Sequence, residues 1–101
     1  MNYHVILQGA IVVRGVDGEE ETINKALSLT SRLLNKSASF VEVSIEGEPV
    51  IVANTGLVAI NFSLKVFNAM SEDHAVKIAK KVVGQNLPST PLVLKEVNDI
   101  E

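Results

Sequence analysis

The chain has 101 residues, of which 47% are hydrophobic and 21% charged, with a formal net charge of -3 and no cysteine. That balance excludes a disordered chain, and a uniform composition over this length predicts a single α+β domain, residues 1–101, burying roughly two-thirds of its unfolded surface. The acidic charge gives no electrostatic basis for nucleic-acid binding, no apolar run approaches the roughly 20 residues needed to span a membrane, and the missing thiols exclude disulfides, thiolate metal sites and cysteine catalysis.

A first strand is expected over residues 3–13. Tyr3, Val5, Leu7, Ile11 and Val13 share one parity, while Ile6, Ala10 and Val12 on the other make both faces apolar. Arg14-Gly15-Val16-Asp17-Gly18 supplies turn residues, after which Ile23, Ala26, Leu27, Thr30, Leu33 and Leu34 recur at helical spacing. Glu19, Glu20 and Glu21 at the start of this helix, and Arg32 and Lys36 near its end, complement its dipole. Each such charge is worth about 0.3–1 kcal/mol at low salt.

A second strand over residues 40–45 alternates Val41, Val43 and Ile45 with Glu42 and Ser44, and Glu46-Gly47-Glu48-Pro49 is expected to turn the chain. Val50-Ile51-Val52-Ala53 resumes an extended pattern, which Asn54-Thr55-Gly56 interrupts before Val58, Ile60, Phe62, Leu64 and Val66 continue on one parity. The interruption reads either as a bulge in one long third strand, which the glycine favours, or as a tight hairpin adding a fifth strand. A second helix starts at the N-cap Ser71, with Glu72 and Asp73 in its first turn. It carries the stripe Ala75, Ile78, Ala79, Val82 and Val83, and is closed by Gly84, with Lys77, Lys80 and Lys81 solvating the outer face. The last strand is expected over residues 91–97, followed by a fraying acidic end.

The resulting order, β-α-β-β-α-β, is the split βαβ pattern of a ferredoxin-like sandwich, with two helices on one face of a mainly antiparallel sheet. Ile6, Ala10, Val12 and the apolar run at 50–53 leave the opposite face greasy. A homodimer through that face or through an exposed strand edge is therefore expected, with an unidentified protein as the other candidate partner.

Chemistry is sparse. His4 and His74 belong to no metal-ligand spacing, no serine lies in a Gly-x-Ser-x-Gly elbow, and no Gly-rich phosphate signature occurs. The sequence thus assigns no catalytic residue, no metal ligand and no cofactor. His74 reads as a capping or surface residue, His4 as a sheet residue, and Glu42, Glu46 and Glu48 as solvated glutamates rather than a cation site. The candidate ligand site is the first strand-to-helix loop with Arg14, Asp17 and Gly18, because in regulatory βαββαβ domains that loop binds small effectors through turn backbone and a helix N-terminus, a fold-level analogy. Asn35-Lys36-Ser37 and Asn61-Phe62-Ser63 match the glycosylation pattern by chance, since no secretory signal is recognised and a cytoplasmic location is expected.

Asn2-Tyr3-His4-Val5, Arg14-Gly15-Val16, Leu34-Asn35-Lys36, Phe40-Val41-Glu42-Val43, Val52-Ala53-Asn54-Thr55 and above all Lys65-Val66-Phe67-Asn68-Ala69 with His74-Ala75 and Ile78-Ala79-Lys80 resemble a small uncharacterised archaeal protein family. The resemblance covers nearly the whole chain and implies an archaeal origin without an assigned activity. Many members carry a Cys-Pro-x-Cys-Gly-Glu-Pro segment, which implies a metal-binding or ribbon-like insertion before the long strand. Here only Gly47-Glu48-Pro49 remains, preceded by Ile45 and Glu46, so the resemblance implies a fold that stands without metal. Two readings follow: a non-catalytic homodimeric interaction or assembly module, or a small-molecule-sensing regulatory domain that uses the first loop.

Overall fold

The structure, a computed structural model, describes residues 1–35, 38 and 40–100. Its elements are β1 (Tyr3–Arg14), α1 (Glu19–Leu34), β2 (Glu42–Val52), β3 (Thr55–Val66), α2 (Glu72–Asn86) and β4 (Leu92–Asp99). The four strands form one antiparallel sheet in the order β2-β3-β1-β4, the ferredoxin-like arrangement in which each βαβ half brackets a strand of the other. Both helices cover the same sheet face, giving a thin two-layer slab with Cα extents of 46 × 25 × 19 Å.

The central strands β1 and β3 pair over their whole length, from Tyr3↔Val66 to Arg14↔Thr55. Their shared inner parity carries Val5, Leu7, Val58, Ile60 and Phe62, all fully buried. Each such side chain contributes about 1.5–3 kcal/mol of transfer free energy. The helices meet them with small residues, Ala26 from α1 and Ala75, Ala79 and Val83 from α2. The face of α1 centres on Thr22, Ala26, Thr30 and Leu34, and the expected Ile23, Leu27 and Leu33 flank it half-buried. Two threonines fit a buried helix face because each hydroxyl bonds back into its own helix: Thr22 Oγ1 donates to the Gly18 carbonyl at 2.7 Å, and Thr30 Oγ1 to that of Ala26 at 2.9 Å.

The break near Asn54 is the tight hairpin, not the bulge. Ala53 and Asn54 both have positive φ, 50° and 63°, the signature of a two-residue type I′ turn closed by the pair Val52↔Thr55. The bulge lies instead in β2, between Glu46 and Val50, where the sequence reads as a turn; Gly47 adopts φ 71° there. Residues 42–52 thus form one bulged strand, the long third strand is itself unbulged, and the hairpin joins β2 to β3 without a fifth strand. The second strand begins at Glu42 rather than Phe40. Ser71 caps α2 as expected, accepting from the His74 N–H at 3.1 Å, but the helix runs through Gly84 to Asn86, where the Leu87 N–H closes on Val83 at 3.0 Å. Asn98 and Asp99 do not fray: they pair with His4 and Tyr3, because β1 offers an open edge there. Lys36 and Ser37 lie outside the described residues. No helix among the described residues is long and apolar enough to cross a membrane.

Candidate functional site

Even-numbered residues of β1 and odd-numbered residues of β3 point away from the helices onto the open sheet face. The cross-strand row nearest the β2–β3 hairpin consists of Val12, Leu57 and Val50, paired in register, with Val52 beside it. Their exposures are 52%, 46%, 59% and 69%. Four large aliphatic side chains open to solvent in one contiguous patch are unusual on a small soluble protein. Ala10, also exposed, and the half-buried Ala59 extend the patch toward the centre of the face.

The centre is closed by side chains instead. Glu46, on β2, reaches across the face to Lys95, on β4, and also accepts from the Gln8 amide between them. The Lys95 hydrogen bond, opposed by partial desolvation and aided by the amides of Asn61 and Gln8, holds the Glu46 carboxyl below the usual carboxylate range. This strap separates the apolar patch from a hollow on the far side of the face. Of the three glutamates near the β2 bulge, Glu46 is thus committed to a lysine, and among the described residues no group of three His, Asp or Glu is arranged to hold a metal ion.

Beyond the strap, His4, Phe40, Glu42, Ser63, Lys65 and Phe67 line a hollow of about 700 Å³. His4 Nε2 lies 2.5 Å from Ser63 Oγ across the β1–β3 pair. A serine–imidazole contact is the start of nucleophile activation, but that chemistry needs a third group orienting the ring and an oxyanion site, and among the described residues no hydrogen bond to His4 Nδ1 supplies the former. It is a cross-strand sheet pair. His74 completes the α2 cap, its Nδ1 accepting from the Met70 N–H at 2.9 Å.

The three first-loop candidates separate. Arg14, at the end of β1, lines a groove of about 850 Å³ with Val13, Glu20, Lys25, Leu29 and Arg32. Asp17 is exposed and Gly18 is the N-cap of α1 without a side chain to offer, and neither lines that groove. Lys25 is held by Glu21 at 3.6 Å and by the Gly15 carbonyl at 3.2 Å. The groove exists because β4 pairs only with residues 3–9 of β1, leaving residues 10–14 without a strand partner on that side. The sequence reading missed this free edge. Its signal was present in the expected lengths, a last strand of about two-thirds the first, yet the register that decides which end stays bare is a tertiary property.

The described fold and hollows can be set beside known proteins. A UPF0212 protein of Methanocaldococcus jannaschii is 40% identical over 112 aligned positions, covering 99% of this chain and 97% of that protein. One of Thermococcus sibiricus is also 40% identical, covering 97% of this chain and 85% of the relative. Among solved structures, the de novo designed protein Foldit4 aligns over 97% of this chain and 99% of its own at 11% identity, with a TM-score of 0.40. The sequence pattern of the protein family of unknown function DUF555 matches residues 3–100. The chain therefore belongs to DUF555, a family of small archaeal proteins of unknown function.

Proposed function

We propose that the protein is a non-catalytic homodimeric interaction module, whose contact surface lies at the hairpin end of the sheet. The observation that supports this reading is the row Val12, Leu57 and Val50, exposed side by side across three strands. Covering one such side chain contributes up to about 1.5–3 kcal/mol, so a patch of four is enough to favour association once its translational cost is met. The same end of the sheet carries the bare stretch of β1, so apolar surface and unpaired backbone coincide there. Light scattering across a hundredfold dilution tests the reading. Twice the 10.9 kDa chain mass is expected for the wild type, and a single-chain mass for Val12→Glu, which sets a charge into the patch.

A second reading, a small-molecule-sensing domain, has one observation in its favour: Arg14, Lys25 and Arg32 all line the groove beside β1. These three cations outnumber the two carboxylates, Glu20 and Glu21, in the same lining, which suits an anionic effector. A thermal-shift screen against nucleotides and carboxylates, with Arg14→Ala as control, tests it. A stabilisation lost in the variant supports the sensing role.

A further inference from the structure

The bare edge of β1 has a direction. Gly15 continues the strand and donates its N–H to the Asn54 carbonyl at 2.8 Å, one step beyond the pair Arg14↔Thr55. In an antiparallel ladder the residues bonded to one neighbour alternate with those bonded to the other. Odd-numbered residues of β1 therefore bond to β3, and Ala10, Val12 and Arg14 turn their N–H and C=O groups outward, where β4 has already ended at Gly9↔Leu92. A run of outward backbone donors and acceptors is a template for another strand.

We infer that this edge receives the same edge of a second copy, antiparallel, about a two-fold axis at Val12. This deepens the assembly reading above and rests on it, placing the seal at the strand edge, where Val12 is covered while Leu57, Val50 and Val52 stay on the open face. The register sets Val12 against its symmetry mate and Ala10 against Arg14 of the other copy, which closes about six backbone hydrogen bonds. It joins two four-stranded sheets into one continuous sheet and removes both bare edges.

Under the same axis the helix layer beside Ala10 of one copy faces that beside Arg14 of the other. Beside Ala10 the chain that leaves α2 and the side chains of Leu29 and Leu33 on α1 enclose a hollow of about 450 Å³, with Leu87 buried at its wall. Beside Arg14 the layer is open, a groove lined by Glu20, Glu21, Lys25 and Arg32 of α1. On the open face, the apolar rows of the two copies meet at Val12 and run on as one band.

A chain with no native cysteine makes the register testable. In the proposed pair the Cα atoms of residues 10 and 14 of opposite copies lie about 5.5 Å apart, within disulfide range, whereas within one strand they are about 13 Å apart. Both side chains are exposed, so substitution leaves the core untouched. The double variant Ala10→Cys/Arg14→Cys is expected to become a covalent dimer under oxidised glutathione, and each single variant to remain largely uncrosslinked. A dimeric mass by light scattering with no crosslink in the double variant, or with single variants crosslinking as readily, overturns the edge register and leaves the assembly reading standing. A single-chain mass for the wild type overturns both.

Discussion

Gly56 shows how closely one residue is specified. It lies on the inner face of β3 beneath the first turns of α1, and a Cβ there would stand 2.3 Å from Cγ2 and 3.1 Å from Oγ1 of Thr22. Thr22 is fully buried, with its hydroxyl bonded to Gly18, so it has little room to give. Gly56→Ala is expected to destabilise the fold by about 1–3 kcal/mol through overpacking. Adding Thr22→Ser, which deletes the obstructing methyl and keeps the hydroxyl, is expected to restore much of that in urea melts, a coupling that independent sites do not show. Glu46 is a second residue-scale case. Its carboxyl is held below the usual range chiefly by Lys95. A group lowered on folding stabilises the fold above its ordinary titration range, and that stability is lost as pH falls through the lowered value. Melting temperatures of the wild type and Lys95→Met are expected to differ at neutral pH and to converge on acidification below the usual carboxylate range. A gap that persists at the acid end would show that Lys95 acts through packing alone.

At the scale of elements, the clearest lesson is the exchange between turn and bulge. Gly47-Glu48-Pro49 and Ala53-Asn54-Thr55-Gly56 both carry turn chemistry, and local propensity ranks the proline-containing stretch first. Pairing decides otherwise: Glu46↔Ala59 and Val50↔Leu57 place both flanks of the first stretch on the same neighbour, so the chain there merely bulges and continues. The true turn puts Ala53 in the left-handed region at φ 50°, a conformation that an alanine side chain disfavours. Replacing the pair by Ala53→Asn with Asn54→Gly, the preferred type I′ residues, is expected to stabilise the protein by about 1 kcal/mol. An unchanged denaturation midpoint would mean that the turn is not in that conformation. The same contest explains α2, where a glycine that ordinarily ends a helix is carried past its place to Asn86 because Val83 and Leu87 are both buried.

For the whole molecule, one sheet face is roofed by helices and the other is left to its own side chains. The strap from Glu46 to Lys95 covers only the middle of that face, and the hairpin end keeps its apolar row and its bare strand edge. Light scattering is expected to find a dimer for the wild type and a monomer for Val12→Glu. Leu57→Glu separates two geometries. It is expected to spare a dimer sealed along the strand edge and to break one sealed face to face, since Leu57 lies one strand in from that edge.

Much of the fold was legible along the chain. The period-two pattern of Tyr3, Val5 and Leu7, the helical stripe of Ala75, Ala79 and Val83, and the cap at Ser71 each report a local free-energy preference, and a local preference can be read from neighbours in sequence. The candidate site was legible only in part. Of the three first-loop candidates, Arg14 lines the groove beside β1 while Asp17 and Gly18 do not, because a groove is made by whatever strand fails to arrive beside it. The apolar parity of Val12 and Val50 was written in the sequence, and their union with Leu57 into one exposed row came from register. Composition and periodicity settle which faces of each element are apolar; only long-range pairing settles which of those faces are covered, since coverage depends on residues far apart in the chain.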